Sequence, residues 1–336
     1  MPAQLNVSDI ISNNILLLIS THVRRALSCR TLRLAGLGAT NAPGLAKMRA
    51  ERGPQVVGPR PSMGGTTVAS AIQPHNERAA ATWGAGGADY DGISRTIADS
   101  IDHCVLRLGL GPGDRVLDLA TGTGWTARVA AARGAKVVGV DIGADLIEAA
   151  KDQARQAGLE IEFEVGDAEQ LRFEDGSFDV VVSTCGVMFA SNPKAVAAEL
   201  ARVCKPGGRV GLTTWPPDGT LAQMFQVMRP YMPPPPSPAP PSPFEWGRRE
   251  RVQELLGSAF DLKFETGTTV LHEPDGEAVW RLFSTGYGPT KTIAGKLDPE
   301  RREQLHRDFA KFHDQFRGEL GVAMPREYLL TIGVRR

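Results

Sequence analysis

No apolar run in this chain of 336 residues comes near the roughly 18 residues that a bilayer-crossing helix needs, and Ile15 to Ile19 is far too short. That excludes a membrane span of helical type. Cysteine is scarce: Cys29, Cys104, Cys185 and Cys204 are the four present, and none stands in a C-x-x-C spacing. Neither a zinc site nor a disulfide framework is indicated, and a reducing cytoplasm suits the chain best. Net charge is absent too, with 38 basic and 38 acidic residues. The balance is uneven, because residues 1–62 are basic and acid-poor and leave the remainder mildly acidic. A mildly acidic body argues against a nucleic-acid partner. His75, His103, His272, His306 and His313 are scattered without a partner spacing, so no general base is named. His103 falls on an amphipathic pattern and reads as structural.

What is present centres on Arg115 to Gly124, RVLDLATGTG. Val116, Leu117 and Leu119 form a strand-type apolar run, Thr121-Gly122-Thr123-Gly124 breaks it, and Trp125 to Arg133 has the pattern of a helix. Glycines suit such a turn because a ligand must approach the backbone closely, and the N–H groups at the start of the following helix then face its polar groups. A second strand, Lys136 to Val140, ends at Asp141, where nucleoside-binding folds place a carboxylate that accepts both ribose hydroxyl protons. The pair is a nucleoside-binding half.

Further strands at 160–165, 178–182 and 208–214 alternate with helical patterns at 143–157 and 192–204, the order that imposes a parallel sheet with right-handed crossovers. Before them, Asn76 to Leu108 reads as helical, with Ile93, Ile97, Ile101, Val105 and Leu108 at steps of four and three. After them, Tyr231 to Trp246 is dense in proline and can be neither helix nor central strand. Its place suggests an extended lid within 216–246, flanked by Phe225, Tyr231 and Trp246 as candidate substrate contacts. The rest reads as helix over Val252 to Phe260, strand over Leu262 to Leu271, helices over Glu277 to Thr285 and Pro299 to Phe316, and a final strand over Glu327 to Val334.

The string Asp118-Leu119-Ala120-Thr121-Gly122-Thr123-Gly124 resembles the D-x-x-x-G-x-G loop of class I S-adenosylmethionine-dependent methyltransferases. Gly166-Asp167-Ala168, Phe178 to Val182 and Leu200 to Gly208 resemble further stretches of that family in the same order, and the likeness runs from about Asn76 to Arg336. It is similar to the small-molecule group that includes the ubiquinone and menaquinone C-methyltransferases. The resemblance implies an α/β, Rossmann-like sheet of seven mostly parallel strands with a final antiparallel strand, helices on both faces and a proline-rich lid. It implies S-adenosyl-L-methionine as cofactor, with no metal required.

Residue by residue, the resemblance implies Asp141 on the ribose with Ile142 against adenine, Asp167 on the adenine amine with the Ala168 N–H on a ring nitrogen, and Ala120, Thr121, Gly122 and Gly124 under the ligand. Asp118, Ser183 and Thr184 would face the methionine end, where Asp118 favours the cationic ammonium and sulfonium. Tyr90 or Trp83 would supply an aromatic from the N-terminal cover. Cys185 is read as a small apolar wall residue.

The expected product is a methylated, moderately apolar small molecule, with carbon, oxygen and nitrogen all open as the accepting atom. Two rivals stand beside this reading. Gly122 to Ala127 also satisfies the G-x-G-x-x-A of a nicotinamide-dependent oxidoreductase, although Asp118 would repel a diphosphate. A non-catalytic S-adenosylmethionine-binding module is the other. Residues 1–72 resemble nothing in the family and are expected to be an extension without a core, either poorly ordered or upstream of a true start at Met63. An organellar targeting segment is the other reading of that stretch.

Overall fold

Strand β1 (Arg115–Leu119) is buried from Val116 onwards, which accounts for Val116, Leu117 and Leu119: a strand covered by helices on both faces is mostly apolar on both. In this computed structural model, residues 72–234 and 240–336 are described. The expected extension up to residue 71 and the middle of the proline-rich stretch, 235–239, lie outside them.

Among the described residues three α-helices precede β1: α1 (Glu77–Gly84), α2 (Tyr90–Arg95) and α3 (Ala98–Leu108). After it come α4 (Trp125–Ala131), β2 (Lys136–Asp141), α5 (Ala144–Gln156), β3 (Glu162–Val165), β4 (Phe178–Thr184), α6 (Pro193–Val203) and β5 (Cys204–Thr214). Then follow α7 (Thr220–Met228), α8 (Arg249–Leu256), β6 (Phe260–Glu273), α9 (Gly276–Gly286), α10 (Gly288–Lys296), α11 (Pro299–Asp314), β7 (Arg317–Gly318) and β8 (Gly321–Arg335).

The sheet order is β3-β2-β1-β4-β5-β8-β6, with the two-residue β7 paired onto β8. The first five strands run parallel, and β8 is antiparallel to both β5 and β6. The expected Rossmann-like sheet and its inserted final strand are both there, with β7 as an eighth strand that is too short to be read from sequence. From β1 the chain steps to β2 on one side and later returns to β4 on the other. The crevice above the carboxyl ends of β1 and β4 is therefore the topological switch point, where open α/β sheets take ligands.

Three local expectations are corrected. The N-terminal helix is broken at Gly86-Gly87 and again at Thr96-Ile97, which folds it across the end of the sheet. Gly87 has φ +52°, and a Cβ on Gly86 would lie 2.5 Å from the Gly286 carbonyl oxygen, so the first turn needs glycine at both positions. The helix read as Val252 to Phe260 stops at Leu256, and the fully buried Phe260 opens β6 instead. Helix α10 was hidden by Gly288-Pro289, which look like a breaker but place proline in the first turn, where its missing N–H costs nothing.

The lid expectation is revised as well. Its flanks form α7 and short 3-10 turns at Arg229–Tyr231 and Pro243–Gly247, and Tyr231, Phe244 and Trp246 are buried. Thr214 Oγ1 donates to the Trp246 carbonyl at 2.8 Å, and the Tyr231 hydroxyl donates to Asp308 at 2.5 Å. Both ends of the proline-rich stretch are thus part of the core rather than a free cover.

Candidate functional site

The crevice at the switch point is a cleft of about 960 Å³ of empty space, its open mouth included. Its floor is Leu119 to Gly122 after β1, Val140 to Ile142 at the end of β2, and Gly166 to Ala168 after β3. Its far wall is Thr184 to Val187 after β4, and its cover is Trp83, Tyr90 and Ile97 from the N-terminal helices. Of the residues expected on a ligand, Tyr90, Ala120, Thr121, Gly122, Asp141, Ile142, Asp167, Ala168 and Thr184 all line it.

The glycine turn is held rigidly, and by unexpected partners. Gly122 N–H donates to Asp141 Oδ2 at 2.8 Å, Gly143 N–H donates to Asp141 Oδ1 at 2.8 Å, and Gly124 N–H is taken by the Thr121 carbonyl at 2.9 Å. Thr121 N–H donates to the Val140 carbonyl at 2.9 Å. N–H groups around this turn were expected to face a ligand's polar groups. The turn's amide hydrogens at 121, 122 and 124 are already engaged, and a diphosphate would meet the Asp141 carboxylate instead. Each Asp141 oxygen keeps a further lone pair for a hydroxyl donor. Burial raises the Asp141 carboxyl above its ordinary range, against the backbone hydrogen bonds that lower it.

Asp118 faces away from the cleft. Its Oδ2 accepts from Thr121 Oγ1 at 2.5 Å and from Ala127 N–H at 2.9 Å, so it ties the turn to the first turn of α4 from behind. Its Oδ1 is buried without a partner, and burial pushes the carboxyl up to about 7 against those two hydrogen bonds. Gly124 is also a packing residue: with φ +79°, a Cβ there would lie 2.9 Å from the ring of Phe163. Ser183 is buried with Oγ accepting from Val187 N–H at 3.1 Å, which shapes the wall without entering the cleft.

Asp167 is shared. Its Oδ2 accepts from Gln73 N–H at 3.0 Å and Asn76 Nδ2 at 2.9 Å, and its Oδ1 from Glu169 N–H at 3.0 Å. His75 Nε2 meets Glu169 at 2.8 Å, and Ser191 Oγ donates to Asn76 Oδ1 at 2.7 Å. The start of the described chain is therefore bolted across the loops after β3 and β4. A second clamp holds α2: Arg128 pairs with Asp91 at 2.8 Å and donates to the Thr123 carbonyl at 2.7 Å, while Thr123 Oγ1 donates to Asp91 at 2.9 Å. Sequence reasoning missed both clamps, since each joins segments with no local pattern in common.

The cover is aromatic. Trp83 lies 4.8 Å from Phe189, 6.4 Å from Tyr90 and 5.6 Å from Tyr287, ring centre to ring centre. Phe225 packs on Phe189 at 6.2 Å and is outside the lining, while Tyr231 and Trp246 are buried in the core and do not line the cleft. Cys185 lines the wall with φ +55°, its thiol 3.4 Å from Thr213 Oγ1 and pushed up to about 12 by burial, so it stays protonated. His103 bonds Tyr328 and Glu265, at 2.8 and 3.2 Å, and takes no part in the cleft.

The residues present fit S-adenosylmethionine: a paired-acceptor carboxylate at the end of β2, a slot between Ile142 and Ala168, and an aromatic cover over an apolar far end.

Comparison with known proteins bears on this. A methyltransferase-domain family model matches residues 117–212. An uncharacterised protein of Mycobacterium tuberculosis is 36% identical over 236 residues, covering 69% of this chain and 85% of its own. The ubiquinone/menaquinone biosynthesis C-methyltransferase of Bdellovibrio bacteriovorus is 37% identical over 131 residues, 37% of this chain and 55% of its own. Among solved structures, the YcgJ protein of Bacillus subtilis superposes with a TM-score of 0.50 at 22% identity, over 71% of this chain and 98% of that one.

Proposed function

The chain belongs to the class I S-adenosylmethionine-dependent methyltransferases and uses S-adenosylmethionine as its cofactor, and from that premise we propose that it methylates a moderately apolar small molecule at carbon, oxygen or nitrogen. The nicotinamide alternative falls with that membership. Among the described residues no helix is long and apolar enough to cross a membrane. A nucleic-acid substrate is disfavoured by the mildly acidic body, and a cytoplasmic setting by nothing in the cysteines.

One observation supports the small-molecule reading above others. The far end of the cleft is closed over by Trp83, Tyr90, Phe189, Ile97 and Ile101, on helices pinned down by the Asp91–Arg128 and Asn76–Asp167 contacts. A covered, apolar, aromatic recess suits a small acceptor better than a polymer.

Bound S-adenosylmethionine supplies a methyl group on a sulfonium leaving group. Asp141 would take the ribose hydroxyls, Ile142 and Ala168 would flank the base, and Asp167 would meet the base amine with the oxygen that faces Glu169 N–H. Thr126 and Thr184, whose hydroxyls are 2.7 Å apart, would complete the opposite end with the Ala120 to Gly122 backbone. What the protein contributes to an in-line displacement is alignment and dryness. Cys185, Tyr90 and Tyr287 all have their acidities suppressed by burial and so remain neutral walls. The test is calorimetric titration with S-adenosylhomocysteine, then mass-spectrometric search of cell extract for products gaining one methyl. Binding without any methylated small molecule, or methylation of nucleic acid, would overturn the reading.

A further inference from the structure

Resting on that reading of the cleft, we propose that the acceptor is an apolar organic acid whose oxyanion is received by the guanidinium of Arg326. The placement follows from strand parity. Gly211 of β5 lies against Leu108 and Cys104 of α3, so Thr213, two residues on, projects on the same face. Thr213 pairs with Leu330 of β8, and Leu330, Tyr328 and Arg326 alternate along that face. Tyr328 confirms it, because its hydroxyl meets His103 of α3. Thr213 Oγ1 is also the neighbour of Cys185, a cleft wall residue. Arg326 thus lies under the junction of α2 and α3, bonded to Thr96 beside the cleft residues Ser94 and Ile97 and not itself part of the lining.

Its bonding is incomplete for a buried cation. Arg326 is 2% exposed. It donates to the Thr96 hydroxyl at 3.0 Å and to the Thr96 carbonyl, and its Nε is buried with no partner. No carboxylate lies within ion-pair distance of it among the described residues. Asp99 bears on it from further away, but is held by Thr269 Oγ1 at 2.5 Å and by Ser100 N–H at 2.9 Å. A buried charge without a counter-ion is costly, and a neutral carbonyl is a weaker partner than an oxyanion.

The contacts that Arg326 does make are at a hinge-like break: Ile97 has φ −121° and ψ 16°, outside either helix, while Ser94 and Ile97 line the cleft. An acid entering from the cleft would take over from Thr96 as the partner. The charged residues that line the cleft, Asp141 and Asp167, are both at its opposite end. Burial lowers Arg326 to about 10 and His313 to about 4, so the first stays a cation and the second is neutral. A role restricted to capping α2 would explain the Thr96 contacts and would leave the free Nε unexplained.

The test uses the full chain saturated with S-adenosylhomocysteine, with benzoate and hexanoate as probes and benzamide and hexanamide as their neutral counterparts, followed by calorimetry or ligand-observed NMR. The acids should bind at least tenfold more tightly than the amides, and Arg326→Gln should remove that preference while S-adenosylhomocysteine still binds. Equal binding of acids and amides by the unmodified protein, or undetectable binding of both acids, overturns the proposal without any variant having to fold. So does an Arg326→Gln protein that keeps the preference. Loss of S-adenosylhomocysteine binding in the unmodified protein would instead strike the proposed function itself.

Discussion

The carboxylate of Asp141 accepts the N–H of Gly122, 19 positions earlier in the chain, at 2.8 Å. One side chain at the end of β2 thereby fixes the turn at the end of β1, and the ribose carboxylate and the glycine loop are a single rigid object. Asp141→Ala should weaken S-adenosylhomocysteine binding by roughly 1.5 to 3 kcal/mol, the range for losing hydrogen bonds to a charged group. It should also free Gly122 and Gly143 N–H, so faster amide exchange at those two positions is expected with it. Unchanged affinity by calorimetry would remove Asp141 from the ribose role.

The Phe163 ring occupies the place where a side chain at Gly124 would go. Gly124→Ala should destabilise the fold by about 1 to 3 kcal/mol, from overpacking and from the positive φ together. Adding Phe163→Leu should recover part of that loss, visible as a partial rise in Tm. If the second substitution makes the first worse, the steric account is wrong.

Asp118 gives a pH signature. Its folded carboxyl is raised to about 7, above the ordinary value of 3.8, so the folded state holds a proton that the unfolded state has released between those values. The stabilisation is therefore complete below about 4 and is lost as pH rises towards about 7, on the order of a few kcal/mol in all. Asp118→Asn keeps an acceptor for Thr121 and Ala127 and has no proton to lose. Denaturation midpoints measured from pH 4 to 8 should fall less steeply for the variant than for the unmodified protein, and parallel curves would refute the assignment.

The Asp91 and Arg128 clamp holds the cover onto α4, and both side chains are largely shielded, at 23% and 14% exposed. Asp91→Ala and Arg128→Ala should each weaken cofactor binding several-fold, and the double variant should lose less than the two effects added. A coupling of about 1 to 2 kcal/mol is expected from the cycle. Strict additivity would mean that the two residues act separately.

The nucleoside half was legible because its signals are local. A strand run, a glycine turn, a helix and then Asp141 lie within 27 positions, from Arg115 to Asp141, and Asp167 follows its own strand in the same way. The cover was legible in kind, since Trp83 and Tyr90 do line the cleft. Direction was harder. Asp118 sits at the right strand end and turns its carboxylate beneath the loop, an outcome decided by whether Thr121 Oγ1 or a ligand is nearer. Contacts such as Asn76 with Asp167, 91 positions apart, leave no periodic trace. Proline density between Tyr231 and Trp246 suggested a lid with substrate contacts on its flanks, and those aromatics were claimed by the core because burying large rings outweighs the stiffness of their neighbours.

Strand β8 has a consequence for how the molecule is made. It sits between β5 and β6, and β6 pairs along its whole length, Phe260 to Glu273, with Val322 to Arg335. Until the ribosome has delivered that segment, one margin of β5 is bare and β6 has no companion in the sheet. A nascent chain in that state presents open hydrogen-bonding rims to any neighbour, so chaperone demand and misassembly should concentrate in the interval before Gly321 emerges.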